Sequence, residues 1–204
     1  TGELFYADYW TMYEDESGGV PKKWRAHLMR SADGGRSWEK RGAIAHPTEP
    51  MEEPMAEFNC DGDLVCAIRG AKTMFVAYSF DRGFSWTPPK PLYGYGVLPQ
   101  LLRLKNGVMV LAFGRSGAVD KSDSWPSDPE TVLLFSTDGG YQWGTKTVVL
   151  RENEISPTSC GYTCLLALDE RSFLIGYPGA QTRFGGSQFG RKQLLVRRVT
   201  VDIT

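Results

Sequence analysis

Short apolar runs, separated by polar turns that contain glycine, follow one another along the chain. Three of these runs are AHLMRS at 26–31, MFVAYS at 74–79 and TVLLFS at 131–136. No window of about 11 residues keeps the 3.6-residue period of an amphipathic helix. The pattern predicts an all-β protein built from short antiparallel strands.

An eight-residue motif begins at the last serine of each of these runs. It reads SADGGRSW at 31–38, SFDRGFSW at 79–86 and STDGGYQW at 136–143, so the copies share the pattern SxDxGxxW. The Asp can accept hydrogen bonds from backbone amides of its own turn, the Gly can take a positive φ, and the Trp can fold back over the turn. We therefore expect each copy to join two antiparallel strands.

A second repeat lies between the copies of this motif. EPMAEFNCDGDLVCAIR at 53–69 and LPQLLRLKNGVMVLAFGR at 98–115 share an early Pro, a turn Gly and a final Arg, and both the prolines and the glycines are 45 residues apart. GYTCLLALDERSFLIGY at 161–177 is a more divergent copy, with its turn at Asp169 and Glu170. Each copy predicts a strand, a tight turn and a second strand.

Together the two repeats predict four-stranded antiparallel sheets of about 45 to 55 residues, the size of a propeller blade. The expected blades cover about 1–46, 50–93, 97–150 and 157–204; the first begins at its second strand and the last lacks the SxDxGxxW motif. A six-bladed ring needs on the order of 270 residues. We therefore expect one partial propeller, completed by missing N-terminal blades or by another copy of the chain.

Charge and hydropathy exclude several classes of partner. The chain has 23 basic and 24 acidic residues, a net charge of −1, which gives no electrostatic basis for binding nucleic acid or an anionic membrane. No apolar stretch reaches the ~20 residues that cross a bilayer. His27 and His46 have no second ligand at zinc spacing, so we expect no metal or other cofactor.

The cysteines are too few for a disulfide scaffold. Cys60, Cys66, Cys160 and Cys164 form no CxxC pair, and most of them lie in apolar stretches. Buried free thiols are therefore favoured over bridges, although pairing of Cys60 with Cys66 stays open. The localisation is also open, with a secreted or periplasmic protein preferred.

The chain resembles the sialidase (neuraminidase) superfamily. The resemblance rests on the three SxDxGxxW motifs, known there as Asp boxes or BNR repeats, and on EPMAEFNCDGDLVCAIR and SCGYTCLLALDERSFLIGY. It covers most of the chain and implies a six-bladed β-propeller. Asp boxes lie at the outer rim of blades and also occur in propellers that are not sialidases, so they indicate the fold rather than the chemistry.

The resemblance also implies a catalytic site. In sialidases a Glu opens the first strand of one blade, an Arg ends the second strand of that blade, and a Tyr begins the first strand of a later blade. Glu53, Arg69 and Tyr162 match these places. Tyr162 would be the nucleophile, Glu53 its base and Arg69 part of the clamp for the substrate carboxylate, since a phenol avoids the repulsion that a carboxylate nucleophile would meet at sialic acid.

An independent argument from the repeats brings the same residues together. Glu53 and Tyr162 hold equivalent places in their blades, and equivalent places on inner strands converge on one end of a propeller channel. Each residue also has a plain structural alternative. Tyr162 could be a core or rim tyrosine, Glu53 could belong to a solvated acidic loop with Glu49 and Glu52, and Arg69 could form a strand-end salt bridge.

Three departures from the family pattern bear on activity. The segment SDSWPSDPE at 122–130 lacks the further clamp Arg of the family, and Arg115, in the place equivalent to Arg69 of the next blade, is the expected substitute. Tyr177 stands where the family has a Glu that supports its first Arg. That first Arg and the acid/base Asp belong to the earliest blades of the family, so we expect the isolated chain to lack sialidase turnover.

The sequence thus favours a sialidase-like exo-glycoside hydrolase that acts on a terminal acidic sugar, with a glycan or sialoside-like carbohydrate as partner. The alternatives are a non-catalytic glycan-binding or scaffold propeller and a protein-interaction propeller. Trp125 either stacks on a sugar or fills its own loop, and Arg183 and Gln188 are candidates for the channel mouth.

Overall fold

The structure is a computed structural model that describes residues 2–11, 24–94, 96–115, 130–144, 148–150, 162–182 and 191–202. Every helix or strand in these ranges is a β-strand, and the paired strands are antiparallel. The chain divides into two compact units, Thr1–Gly94 and Tyr95–Thr204. The prediction of an all-β, antiparallel protein is therefore confirmed for the described residues.

The first unit holds two sheets in its described part. A three-stranded sheet has the order β1 (Leu4–Thr11), β2 (Trp24–Ser31) and β3 (Glu39–Ile44). A four-stranded sheet has the order β4 (Glu52–Phe58), β5 (Leu64–Arg69), β6 (Met74–Ser79) and β7 (Lys90–Tyr93). Strands adjacent in the chain are adjacent in each sheet, so both sheets are simple meanders.

The described part of the second unit has the same organisation. Its four-stranded sheet contains β8 (Val97–Arg103), β9 (Met109–Arg115), β10 (Glu130–Ser136) and β11 (Val148–Leu150) in chain order. Its three-stranded sheet contains β12 (Cys164–Ala167), β13 (Ser172–Thr182) and β14 (Arg191–Thr200). The predicted apolar runs lie within β2, β6 and β10. The assignment of the four sheets to blades of a six-bladed ring stays a prediction.

Each unit has a hydrophobic core formed by residues of both its sheets. The core of the first unit contains Ala26, Ile44, Met51, Cys66, Ile68, Phe75 and Ala77. The core of the second unit contains Leu104, Val108, Val110, Ala112, Leu133, Phe173, Ile175 and Tyr177. All six residues of β6 are buried, which is why this strand reads as a continuous apolar run rather than an alternating one.

The first SxDxGxxW motif is a hydrogen-bonded turn between β2 and β3. Ser31 Oγ donates to Asp33 Oδ1 at 2.8 Å and accepts from the Gly35 backbone N–H at 2.8 Å. Asp33 also accepts from the Ser37 backbone N–H at 2.9 Å and from Ser37 Oγ at 2.6 Å. Gly35 has a φ of +92°, and Trp38 Nε1 donates to its carbonyl oxygen at 3.1 Å. The turn geometry predicted for the motif is confirmed here.

The other two copies repeat the serine, aspartate and glycine part of this geometry between β6 and β7 and between β10 and β11, whereas Nε1 of Trp86 and of Trp143 has no hydrogen-bond partner among the described residues. Ser79 Oγ donates to Asp81 at 2.8 Å, and Ser136 Oγ donates to Asp138 at 2.7 Å. Hydrogen bonds from the side chain and backbone of Ser85 lower the pKa of Asp81 to about 2. The corresponding bonds from Ser37 hold the pKa of Asp33 well below its usual range. Each motif therefore stabilises its turn through an ionised carboxylate.

The tight turns of the second repeat lie at the other end of the strand pairs. Gly62, between β4 and β5, has a φ of +88°, and Gly107, between β8 and β9, has a φ of +91°. The β12–β13 turn has no glycine; there the Asp169 carboxylate accepts from the backbone N–H groups of Arg171 at 3.0 Å and Ser172 at 2.7 Å. The predicted turn positions are confirmed in all three copies.

Candidate functional site

The sequences of the three hairpins of the second repeat can be aligned on the hydrogen bond that closes each turn. These bonds run from Asn59 N to Asp63 O (2.8 Å), from Leu104 N to Val108 O (2.9 Å) and from Leu168 N to Ser172 O (2.9 Å). Six positions before each donor stand Glu53, Leu98 and Tyr162. Glu53 and Tyr162 therefore occupy equivalent positions in their hairpins.

Two of these equivalent positions have an unusual backbone. Glu53 has a φ of +46° and Leu98 a φ of +45°, values rare for residues other than glycine. Both precede a proline, and both lie at a shift in pairing register, between Glu52 and Met55 on β4 and between Val97 and Gln100 on β8. The first two copies of the repeat therefore contain a β-bulge at this place, a feature that changes the direction of a side chain.

In the first unit this bulge brings two consecutive glutamates to one arginine. Arg69, at the end of β5, is the cross-strand partner of Glu52, and its Nε lies 3.7 Å from Glu52 Oε2. Arg69 Nη1 donates to Glu53 Oε1 at 2.9 Å. The side chains of Arg69, Glu52 and Glu53 are 26%, 25% and 12% exposed. The structure thus brings Glu53 and Arg69 together, and the strand-end ion pair considered for Arg69 is present.

Tyr162 lies in the second unit, just before β12. Its side chain is 72% exposed, whereas the next residue, Thr163, is buried. Tyr162 is therefore not a core tyrosine, and its ring and hydroxyl are accessible. Because Glu53 belongs to the first unit, the pairing of these two residues stays a prediction.

The expected equivalence of Arg115 with Arg69 is not what the strand pairing shows. Cross-strand pairing places Arg69 opposite Glu52 in one hairpin and Gly114 opposite Val97 in the next. Gly114, not Arg115, is therefore equivalent to Arg69, and Arg115 follows one residue later at the end of β9. The equivalence drawn from the sequence was wrong by one residue because the final arginines were matched without regard to register. The role of Arg115 in substrate binding stays a prediction.

Tyr177 is a core residue of its sheet. Its side chain is fully buried in the cluster that contains Phe173 and Ile175, and the Arg197 guanidinium lies 5.9 Å from its ring centre. The ring of Tyr177 is therefore part of the core of the second unit. Trp125, Arg183, Gln188 and Cys160 lie outside the described residues.

The described cysteines agree only in part with the burial expected for those in apolar stretches. Cys66 is buried with a free thiol whose pKa is raised by desolvation, while Cys60 and Cys164 are exposed. Among the described residues no group of three or more His, Cys, Asp or Glu side chains could hold a metal ion. In the same ranges no helix is long and apolar enough to cross a membrane.

Two residues of this region were not singled out from the sequence. Glu52 was noted only as a member of an acidic run, and Leu98 only as the start of a repeat. The 45-residue offset that relates Pro54 to Pro99 also relates Glu53 to Leu98 and could have identified the latter. The proline that follows each of these positions is the sequence signal that could have indicated the bulge, because prolines within a sheet occur at edge strands, strand starts and bulges.

Comparisons with known proteins place this geometry in a fold. No family model matches the chain, and no curated protein matches it. Among solved structures, a protein of unknown function from Dyadobacter fermentans matches with a TM-score of 0.74 and 19% identity over 98% of this chain and 51% of the other. A GH93 α-L-arabinofuranosidase from Fusarium graminearum matches with a TM-score of 0.60 and 17% identity, over 95% of this chain and 62% of the enzyme.

A sialidase from Streptococcus pneumoniae also matches, with a TM-score of 0.54 and 16% identity over 95% of this chain and 32% of the enzyme. The chain spans about half the length of the first of these proteins, 51%. Identities of this size establish the fold alone. The chain has an all-β fold of the kind found in β-propeller glycoside hydrolases.

Proposed function

We propose that this chain is part of an exo-glycoside hydrolase that cleaves a terminal acidic sugar, with Tyr162 as nucleophile, Glu53 as base and Arg69 as part of a carboxylate clamp. The observation that carries the proposal is the equivalence of Glu53 and Tyr162, each six positions before the residue that closes its turn. Solved structures with the same fold, named as a sialidase and an arabinofuranosidase, support a glycosidase role.

The proposed reaction has two steps. In the first, the Tyr162 oxygen forms a bond to the anomeric carbon while its proton passes to the Glu53 carboxylate. The glycosidic C–O bond breaks, and the leaving oxygen takes a proton from a general acid, which the resemblance assigns to an Asp of an earlier blade. In the second, water attacks the anomeric carbon, its proton passes to that Asp, and Tyr162 recovers a proton from Glu53.

Arg69 would bind the carboxylate of the sugar through its guanidinium, assisted by Arg115. Its 2.9 Å bond to Glu53 places the proposed base and the proposed anion-binding group in direct contact. A planar guanidinium suits this role because it can bind a carboxylate through two parallel hydrogen bonds. We expect Arg69, by binding the sugar carboxylate, to position the sugar relative to Glu53.

A second candidate is a non-catalytic glycan-binding propeller. Burial of Tyr177 favours it, because the family's supporting Glu is absent and a buried aromatic side chain cannot replace its charge. In this case the site would bind a sugar without an activated nucleophile.

Binding is the first test. The isolated chain should bind N-acetylneuraminic acid but should not hydrolyse an aryl sialoside, since it has no assigned acid/base Asp. Tyr162→Phe removes only the hydroxyl, and Tyr141→Phe, at another exposed tyrosine of the second unit, is the matched control. Turnover of an aryl sialoside by the isolated chain would contradict the assignment of the acid/base Asp to an earlier blade.

Turnover is the second test, in a protein that contains this chain and also the acid/base Asp. Tyr162→Phe should lower kcat by about 10²-fold or more, while Tyr141→Phe should not. If such a protein hydrolyses an aryl sialoside or an aryl arabinofuranoside and Tyr162→Phe leaves the rate unchanged, the tyrosine mechanism is lost. Sugar binding without any hydrolysis would establish the second candidate instead.

A further inference from the structure

The contact of one arginine with two consecutive glutamates is unexpected in a regular strand. Successive side chains of a strand point to opposite faces, so only Glu52, which is directly opposite Arg69, should share its face. Glu53 nevertheless accepts a hydrogen bond from Arg69 Nη1 at 2.9 Å. The positive φ of Glu53, +46°, accounts for this, because it turns the second carboxylate back toward the arginine.

The bulge does not depend on the glutamates. Leu98 has nearly the same φ, +45°, and a register shift at the same place of its hairpin, although it carries no charge. The backbone geometry is therefore shared by two copies of the repeat, and the first unit adds two carboxylates to it. Glu52 has no part in the proposed reaction, so its contact with Arg69 needs a separate explanation.

Charge supplies that explanation. Two carboxylates, of Glu52 and Glu53, face one guanidinium, of Arg69, so the formal charges are two negative and one positive. Glu52 Oε2 lies 3.7 Å from Arg69 Nε, within ion-pair distance, so it opposes the attraction of this arginine for any further anion. A neutral sugar would not be affected, because it presents hydroxyl groups rather than a charge.

We propose that Glu52 is a specificity-determining residue, whose carboxylate counterbalances Arg69 and weakens the binding of an acidic sugar relative to its neutral counterpart. The inference rests on the proposed function, since it requires that a sugar bind beside Arg69. It extends that function by assigning to this chain a residue that limits affinity for the acidic ligand and so favours release of an acidic product.

The expected effect can be estimated from Coulomb's law. A ligand carboxylate on the far side of the guanidinium would lie roughly 7 Å from Glu52. Removal of one charge at that distance changes affinity about threefold in a water-like medium and about fiftyfold at an effective dielectric constant of about 20. Glu52→Gln should therefore tighten binding of the acid by a factor between these limits.

The experiment compares N-acetylneuraminic acid with its methyl ester, which is the same sugar without the charge. Both are titrated into the ¹⁵N-labelled chain, and the Arg69 side-chain Nε–H signal is followed by NMR to obtain each Kd. Asp61→Asn removes the same charge from the exposed β4–β5 turn. That turn lies about 17 Å along β5 from Arg69, beyond the screening length of about 8 Å at physiological salt.

Glu52→Gln should lower the Kd of the acid and leave that of the ester unchanged, and added salt should reduce the difference. Glu52→Asp, which keeps the charge, and Asp61→Asn should leave the ratio of the two Kd values as in the wild type. If Glu52→Gln does not fold in a thermal scan, Glu52→Thr removes the same charge with a side chain suited to a strand.

The outcomes separate the inference from the proposed function. If the wild type binds the acid at Arg69 and removal of the Glu52 charge leaves the Kd ratio unchanged, the inference is wrong and the proposed function stands. An equal effect of Asp61→Asn would also overturn the inference, because it would show a general charge effect. If neither sugar shifts the Arg69 signal in the wild type or in Glu52→Gln, both fall.

Discussion

The Arg69 guanidinium donates a 2.9 Å hydrogen bond to Glu53, although the residue paired with Arg69 across the sheet is Glu52. This contact depends on a positive φ at Glu53, a conformation that costs a residue with a Cβ about 1 to 2 kcal/mol relative to glycine. Leu98 has the same conformation, so two copies of the repeat contain a residue with this energetic cost. Such local strain is common where a side chain must be aimed in a particular direction.

Substitution of Glu53 separates the strain from the ion pair. Glu53→Ala removes the carboxylate but keeps a Cβ at a φ of +46°, whereas Glu53→Gly removes both. We expect Glu53→Gly to be more stable than Glu53→Ala by about 1 kcal/mol in urea unfolding at neutral pH. Leu98→Gly and Leu98→Ala provide the matched pair without an ion pair. A less stable glycine variant at both positions would contradict the positive φ.

A second prediction concerns the close approach of β3 to the second SxDxGxxW turn. Gly42 N donates to the Gly83 carbonyl oxygen at 2.7 Å, and a Cβ on Gly42 would lie 2.4 Å from the Phe84 carbonyl oxygen. Backbone cannot yield as a flexible side chain does, so Gly42→Ala should destabilise the chain by about 2 kcal/mol or more.

Gly94→Ala is the control for this substitution, because a Cβ at Gly94 meets nothing within 4 Å. It should change the free energy of unfolding by less than about 0.5 kcal/mol. Urea unfolding of both variants at the same pH gives the comparison. Equal stability of the two variants would show that β3 does not pack against this turn as described.

Turn chemistry could be predicted from the sequence because it depends on a few adjacent residues. The Ser, Asp and Gly of each SxDxGxxW motif form hydrogen bonds within the motif itself. Gly62 and Gly107 directly indicate positions with a positive φ. The strands between these turns then follow from short apolar runs. For this reason the all-β class and the motif turns were predicted correctly.

The site could be predicted only in part, because its geometry depends on register. The positive φ at Glu53 is not marked by a glycine. The same limitation explains the error at Arg115, where a match of final arginines ignored that Gly114 is the residue opposite Val97. Contacts across a hairpin, such as that of Glu52 with Arg69, can be predicted only when the pairing register is known.

Acid titration should reveal how much the SxDxGxxW carboxylates contribute to the free energy of unfolding. The pKa of Asp81 falls to about 2 in the folded chain, mainly through the side-chain hydrogen bond from Ser85. Because the pKa of an Asp in an unfolded chain is about 3.9, the stabilisation is complete above that pH and is lost as the pH falls toward 2.

We therefore expect the free energy of unfolding to decrease between about pH 4 and pH 2, and Asp81→Asn to decrease less steeply than the wild type. Urea unfolding at several pH values measures both slopes. Asp61→Asn, at an exposed turn position, is the matched control. The idea fails if Asp81→Asn and Asp61→Asn show the same slope as the wild type.

His27 should produce a separate transition at higher pH. Its ring is buried and stacked on Trp10, with ring centres 3.8 Å apart, and neither ring nitrogen has a hydrogen-bond partner among the described residues. Burial lowers the pKa of His27 to about 4, and the positive charges of Lys40 and Arg25 act in the same direction, while Asp8 opposes them. The folded chain therefore keeps this histidine neutral.

In the unfolded chain the same histidine has a pKa of about 6.5, so below that pH the unfolded state binds a proton that the folded state does not. Stability from the neutral ring is thus complete above about pH 6.5 and is lost as the pH falls toward 4, by on the order of 2 kcal/mol. His27→Phe keeps a ring to stack on Trp10 but cannot titrate, so its free energy of unfolding should fall less over this interval than that of the wild type. Urea unfolding between these pH values measures the difference, and an equal slope for wild type and His27→Phe would show that the buried histidine is not its source.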